Sequence, residues 1–441
     1  MAIHWSRWRN WGVRGISGIA VVGLMVGASV LSFLPSHTTS TIEPPVASSA
    51  QLPTRLTCGG GFIRTISSGM RVDTADENDS SSLYSLTSPG VSQKVDKLPT
   101  VLTGKLHEPV AGANFYSAQA GDTRGLAANP CTSFVSDTWI VASATEPGSS
   151  NQLVLTNPGT SAISVEVTAY GSTGKLEDRP VVVAVPPNST IRHTLDGLIP
   201  TDKRTAFHIH TNAGLFGATL QNLHISGAYG GGVDFAVGSQ VSTEHVIPGV
   251  LIEKGHDSVL RLTNPGRETT VHLSYIGKDG EKALEGGKDV KLAANSVMDL
   301  NLDGISQGAY AIKIASSSPV VAGVRISRND DIAWATSTPL GRNFAGISGP
   351  YKAQVGVAGQ GTVKLTPFDV SGKALPEISS QVSGFVALDL PQGAVSYRVE
   401  ASNNMRVATV VLGGAESADG VDWIPAYPAL SNQLRSKIVI R

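Results

Sequence analysis

Two histidines in Phe207-His208-Ile209-His210 are the side chains whose spacing comes nearest to a reactive site. On a strand, alternate residues share a face, so Phe207 and Ile209 point one way and His208 and His210 the other. Two imidazoles on one exposed face begin a metal site, with His193 and His224 as further ligands from neighbouring strands. Such a site needs three or four ligands and supporting hydrogen bonds. The competing expectation is a solvated polar face. The stretch that takes this place later in the chain, Ala311-Ile312-Lys313-Ile314, keeps the apolar alternation and has neither histidine.

Acidic residues form two further candidates. Asp73, Asp76, Glu77 and Asp79 offer oxygen ligands to Ca²⁺. Their spacing does not match an EF-hand loop, and a solvated loop is expected. Asp234, Asp331 and Asp422 each recur near an aromatic, in Gly232-Val233-Asp234-Phe235, Asp331-Ile332-Ala333-Trp334 and Gly420-Val421-Asp422-Trp423. They read first as turn caps at strand ends. The second reading makes Asp234, Trp334, Asp422 and Trp423 ligand contacts. Trp139, Trp334 and Trp423 read first as core or inter-module plugs, because large aromatics dominate small cores.

No nucleophile motif stands out. There is no Gly-x-Ser-x-Gly, and no cysteine beside a usable histidine. Gly359-x-Gly361 is followed by no Gly-Lys-Ser/Thr, so it is not a phosphate loop. Carboxylates for glycoside hydrolysis would have to face each other across a cleft. No catalytic residue and no cofactor are assigned.

The elements that carry these residues are strands. Of 441 residues, 48 are Gly and 24 Pro, which break helices, while β-branched residues are plentiful. Net charge is −1, with no clustered Lys/Arg field outside the N-terminus, so a nucleic-acid partner is not expected. The two cysteines, Cys58 and Cys131, read as one disulfide in an oxidising compartment. Two unrelated buried thiols are the alternative.

Residues 16–34 carry no charge, and as a helix would reach ~28 Å, close to the bilayer core. Arg7, Arg9 and Arg14 precede them, with Trp5, Trp8 and Trp11 at belt positions. This predicts a cytoplasmic tail (1–15), a retained transmembrane signal-anchor (16–34) in contact with lipid, and an extracytoplasmic bulk. A cleaved signal peptide is the rival. Residues 35–57, rich in Ser, Thr and Pro, read as an extended spacer.

After Trp139 the chain repeats at a period near 100 residues. Asn151-Gln-Leu-Val-Leu-Thr-Asn-Pro-Gly159 parallels Asp257-Ser-Val-Leu-Arg-Leu-Thr-Asn-Pro-Gly266, and Val165-x-Val167 parallels Val271-x-Leu273. A more diverged copy runs through Gly361–Lys373 and Gln392–Gly413. Repeats this long, made of strands, indicate tandem domains rather than a tight solenoid. Asn-Pro-Gly reads as a type II turn with Gly at positive φ. Asp279-Gly280 and Ser371-Gly372 read as hairpin pairs. The fold class is therefore all-β, with tandem immunoglobulin-like β-sandwich modules over 139–244, 245–345 and 346–441. Residues 58–138 form a β segment closed by the disulfide, either a smaller domain or extra strands for the first sandwich.

Gly121-Asp-x-Arg-Gly-Leu-Ala-Ala-x-x-Cys131, then Asp137-x-Trp139, then Leu155-x-Asn157-Pro158, resembles a family of actinobacterial single-pass envelope proteins with a domain of unknown function. The resemblance spans roughly Cys58 to the C-terminus. It departs at Thr132-Ser133-Phe134, where a proline would follow the cysteine. It implies an extracytoplasmic location and β-rich modules, and no reaction. The expected function is a membrane-anchored, non-catalytic module that binds or scaffolds an envelope protein or glycan. The alternative is an envelope polysaccharide hydrolase, or an accessory subunit of polysaccharide synthesis.

Overall fold

The repeats of the sequence recur as a repeated order of strands. The computed structural model describes residues 53–65, 71–72, 79–87, 91–226, 229–413 and 419–429, and a separate strand pair, Val46–Ser48 with Arg435–Lys437. Residues 16–34, expected as a membrane helix, and the acidic residues 73, 76 and 77 lie outside them, as does the side chain of Asp79. Among the described residues no helix is long and apolar enough to cross a membrane, and the regular structure is β.

From Arg55 the chain forms β1 (Arg55–Thr57), β2 (Asp79–Thr87), β3 (Val91–Lys94), β4 (Val101–Thr103), β5 (Ala111–Ala118) and β6 (Gly125–Pro130). The next stretch gives β7 (Asp137–Ile140), β8 (Ser149–Asn157), β9 (Ile163–Gly171), β10 (Val181–Val185), β11 (Ser189–Thr194), β12 (Ala206–His210), β13 (Gly217–Ser226) and β14 (Tyr229–Val237). Its sheets run β7-β12-β9-β10 and β11-β8-β13-β14. The third stretch contains β15 (Ser242–Ile252), β16 (Val259–Thr263), β17 (Thr269–Gly277), β18 (Val290–Leu292), β19 (Val297–Asn301), β20 (Gly308–Arg328) and β21 (Asp331–Thr336). It repeats both orders, β15-β20-β17-β18 and β19-β16-β20-β21. One 21-residue strand, β20, does the work of β12 and β13.

The fourth stretch fuses its sheets further. It comprises β22 (Gly341–Ile347), β23 (Lys352–Phe368), β24 (Ile378–Asp389), β25 (Ser396–Leu412) and β26 (Val421–Pro425). Three of these strands run through both layers, giving β22-β25-β23-β24 at one end and β24-β23-β25-β26 at the other. Gly361, at φ +126°, sits mid-strand in β23, a backbone conformation a side chain would resist. The stretch from Arg55 to Pro130 has the second order too, β3-β2-β5-β6, with β1 paired to β4. It thus shares one of the two sheet orders of the later stretches.

Two local expectations change. Arg55–Thr57, at the end of the expected spacer, is a strand whose Leu56 is buried. Gly159 and Gly266 do not adopt positive φ, so Asn-Pro-Gly is not a type II turn. The asparagine organises it instead. Asn157 Nδ2 donates to the carbonyls of Ser161, Val185 and Pro186, and its Oδ1 accepts the Gly159 N–H at 2.9 Å. Asn264 repeats this with Arg267, Leu292, Ala293 and Gly266. Both asparagines are fully buried, so the amide must satisfy all its groups within the protein. The alternation read in β9 does hold: Val165, Val167 and Ala169 are buried and Ser164 exposed.

β6, β14, β21 and β26 are the last strands of their sheets. They pack in a ring, β6 on β14, β14 on β21, β21 on β26, and β26 on β6. At one level of the ring stand Gly125, Gly232, Asp331 and Gly420. A Cβ on Gly125 would lie 2.5 Å from Asp331 Oδ1, one on Gly232 2.9 Å away, and one on Gly420 would overlap Oδ2. The Asp331 carboxylate fills the space three absent side chains leave. Its Oδ1 accepts the N–H of Val233 at 3.1 Å. Its Oδ2 accepts those of Leu126 at 2.9 Å and Val421 at 3.1 Å, and Ile332 N–H also donates to the carboxylate.

Three residues on along β14, β21 and β26, an aromatic enters the core of the preceding stretch. Phe235 packs with Tyr116 and Ala118, Trp334 with Ile140 and Leu153, and Trp423 with Ile247 and Leu260. Trp423 Nε1 also donates to Pro248 O at 2.8 Å. Ile424 of β26 joins Tyr84 and Phe115, so the last stretch packs on the first. Cys58 and Cys131 form a disulfide spanning 73 residues, at the ends of β1 and β6.

Gly420→Ala is expected to cost about 2–3 kcal/mol by overpacking, and Asp331→Gly in the same chain should recover part of that loss. Denaturant unfolding of the two single variants and the double variant measures the coupling, and simple additivity would contradict the shared space. Replacing both cysteines by serine should lower stability by about 2–5 kcal/mol, the usual range for a native disulfide; an unchanged unfolding midpoint would count against a structural role.

Candidate functional site

All four ring strands lead, at their C-terminal ends, into one cavity of about 380 Å³. Much of its wall comes from the residues that follow them: Thr132 and Ser133 after β6, Gly238 to Ser242 and Glu244 after β14, Ser337 to Pro339 after β21, and Tyr427 after β26. Nine of its twenty residues carry a hydroxyl, set among apolar groups that supply most of the exposed wall. Arg406, from β25, brings the one guanidinium and donates through Nη1 to Thr338 O. Burial pushes the Arg406 pKa down and the Glu244 carboxylate pulls it back up, yet the arginine forms no ion pair among the described residues. Thr338 is 1% exposed and its Oγ1 has no hydrogen-bond partner. His245 is also buried, with Nε2 against Val320 O at 2.8 Å; burial lowers its pKa and favours the neutral ring. Glu244 is the sole carboxylate among the lining residues, and it is exposed.

The histidines singled out by spacing lie elsewhere. β12 sits between β7 and β9, with His208 opposite Trp139 and His210 opposite Asp137. His208 Nε2 lies 2.6 Å from Asp137 Oδ2, and His210 Nδ1 lies 3.3 Å from the same oxygen. The His208 ring stacks on Trp139 at 4.6 Å, and His210 Nε2 is 3.1 Å from Asn212 Oδ1. Neither His193 nor His224 joins them: β11 and β13 belong to the other sheet. Among the described residues no three His, Cys, Asp or Glu side chains are placed to hold a metal ion. The pair is a partly exposed Asp–His cluster set by strand register.

Asp234, Trp334, Asp422 and Trp423 are all buried around the ring axis. Asp234 Oδ2 accepts the Trp334 N–H at 3.1 Å, and Asp422 Oδ1 accepts the Trp423 N–H at 2.7 Å. The remaining oxygens, Asp234 Oδ1 and Asp422 Oδ2, have no other partner. The two carboxyls hydrogen-bond each other, which requires a proton between them. Burial raises both pKa values well above the ordinary carboxylate range. Asp331 is raised to about 7 by burial, against the pull of its backbone donors.

The cavity escaped the sequence reading because four distant connections build it. The one available signal was the Ser/Thr clustering at the ends of three of the four ring strands, in Thr132-Ser133, Ser239 to Thr243 and Thr336-Ser337-Thr338.

Residues 86–391 match a family of unknown function, DUF5719. No curated protein matches the chain. A solved structure of Streptomyces avermitilis alpha-L-rhamnosidase complexed with L-rhamnose is similar at 10% identity and a TM-score of 0.14. The likeness covers 87% of this chain and 55% of that one, so the chain spans about half its length. At that score it carries no argument about fold or activity.

The buried acids generate a pH dependence. Between the unfolded value of about 3.9 and a raised folded value, the folded chain holds protons the unfolded chain has lost. Stability should therefore fall as pH rises from about 4 through about 7. Asp422→Asn supplies an N–H in place of the shared proton. It should stay within about 1 kcal/mol of the parent at pH 5 and show a shallower decline above it, by denaturant titration at several pH values. A decline as steep as the parent's would show that the pair does not hold the proton.

Proposed function

The chain belongs to the DUF5719 family, of unknown function, and we propose that it is a non-catalytic binding protein of the cell envelope. In this reading residues 16–34 hold it in the membrane with the N-terminus inside, and immunoglobulin-like modules stand outside on the spacer. The uncharged segment behind three arginines supports that orientation. So does the Cys58–Cys131 disulfide, a bond that persists in oxidising compartments.

The observation that carries the binding role is the cavity at the open end of the ring. Four connections from four parts of the chain converge on it, and ligand sites favour such junctions. Its lining supplies hydroxyls, a guanidinium and the unpartnered Thr338 hydroxyl. A glycosidase needs two carboxylates facing each other, and this wall offers Glu244 alone among its described residues. Binding without turnover therefore fits the cavity better than hydrolysis, and the partner is an envelope glycan or a protein that presents one.

Val241 stands 40% exposed at the cavity, where a larger side chain can fill the opening without entering a core. Val241→Trp should reduce capture of solubilised envelope glycan by the purified full chain at least tenfold, with its thermal midpoint unchanged. Biolayer interferometry against immobilised chain measures this. Equal capture by both forms, or release of shortened glycan on incubation, would overturn the reading.

A further inference from the structure

Resting on the cavity as a binding site, we infer that its ligand is a sugar acid: a polyhydroxylated ring carrying one carboxylate. Two features that want a partner define the chemistry. The first is Arg406, whose guanidinium faces the cavity with only the Thr338 carbonyl as acceptor and no ion pair among the described residues. A partly buried guanidinium whose nearest counter-charge, Glu244, is exposed and not bonded to it is left short of partners, and a carboxylate meets its planar fork with two parallel hydrogen bonds. The second is Thr338 Oγ1, fully buried and unpaired on the same wall. A buried hydroxyl left unpaired carries its full desolvation penalty, which a ligand hydroxyl pairing with it would offset.

The remaining wall discriminates among anions. Ser239, Ser242 and Ser337 each offer a hydroxyl that both donates and accepts, which suits ring hydroxyls better than a bare oxyanion. The volume, about 380 Å³, lies near the lower end of small-ligand cavities and suits one or two sugar rings rather than a long segment at once. Glu244 stands on the same wall near enough to act on Arg406. Being exposed, it repels an incoming carboxylate without being needed for folding.

Isothermal titration of the purified full chain with D-glucuronate, D-glucose and sulfate tests this. Glucuronate should bind at least tenfold more tightly than either glucose or sulfate. Arg406→Gln should weaken glucuronate at least tenfold, and Glu244→Gln, a surface change, should tighten it about two- to threefold by removing a like charge. Glucose binding as well as glucuronate would show that the charge is not read. Sulfate binding as well would show that the hydroxyls are not. Either result overturns the assignment, as does unchanged affinity in Glu244→Gln. Glycan capture that Val241→Trp abolishes, with no glucuronate binding, would sink the sugar acid alone. Capture unaffected by Val241→Trp would remove the binding site itself.

Discussion

One buried carboxylate governs how the four stretches meet. Asp331 lies where Gly125, Gly232 and Gly420 have no side chain, and it takes hydrogen bonds from backbone groups on all four ring strands. A carboxyl in that position, stripped of its donors, would cost several kcal/mol to bury. Its partners come from residues 126, 233, 332 and 421, so the site is satisfied only when distant parts of the chain are already together. The plugs at Phe235, Trp334 and Trp423 impose the same dependence through packing, because each completes a core begun by the stretch before it. Residues Ala50 to Gln433 accordingly cluster as one unit.

The joints between stretches are polar as well as apolar. Arg261, 2% exposed, holds Asp299 through two hydrogen bonds at 2.8 and 2.9 Å within its own stretch. From there it donates to the carbonyls of Ser143, Thr205 and Lys203 in the stretch before, and it lies over the Trp334 ring at 4.8 Å. Breaking such a pair would leave a buried charge unmatched, which is far more costly than losing a surface ion pair. The ring axis is thus closed at one end by acids and backbone donors, and its opposite end opens into the cavity beside Arg406.

Much of this was legible in the residues. Alternation in Ile163 to Ala169 and the recurrence of Leu-Thr-Asn-Pro-Gly gave strands and copies, because inward side chains at every second position are a local property. What escaped was non-local. Asp331 was grouped with Asp234 and Asp422 by its neighbouring aromatic, yet on the ring it occupies the level of the glycines, two residues earlier. In Asn-Pro-Gly the glycine drew attention, while the asparagine amide does the bonding, with carbonyls 28 and 29 residues away. The stretch before Trp139 shares one sheet order with the copies without sharing their sequence, so no comparison of residues could align it. The cavity residues carry no motif, since each connection contributes only a hydroxyl or two.

The glycine level of the ring also sets a number. A carboxylate offers about four lone-pair sites, and four amides, one from each strand, donate to it. A fifth strand inserted by further duplication would bring an amide with no acceptor left and a wider hole than one aspartate can span. With three strands, an acceptor site would stand unfilled. Four strands and the acceptor capacity of one ionised carboxylate are thus matched at this level of the ring.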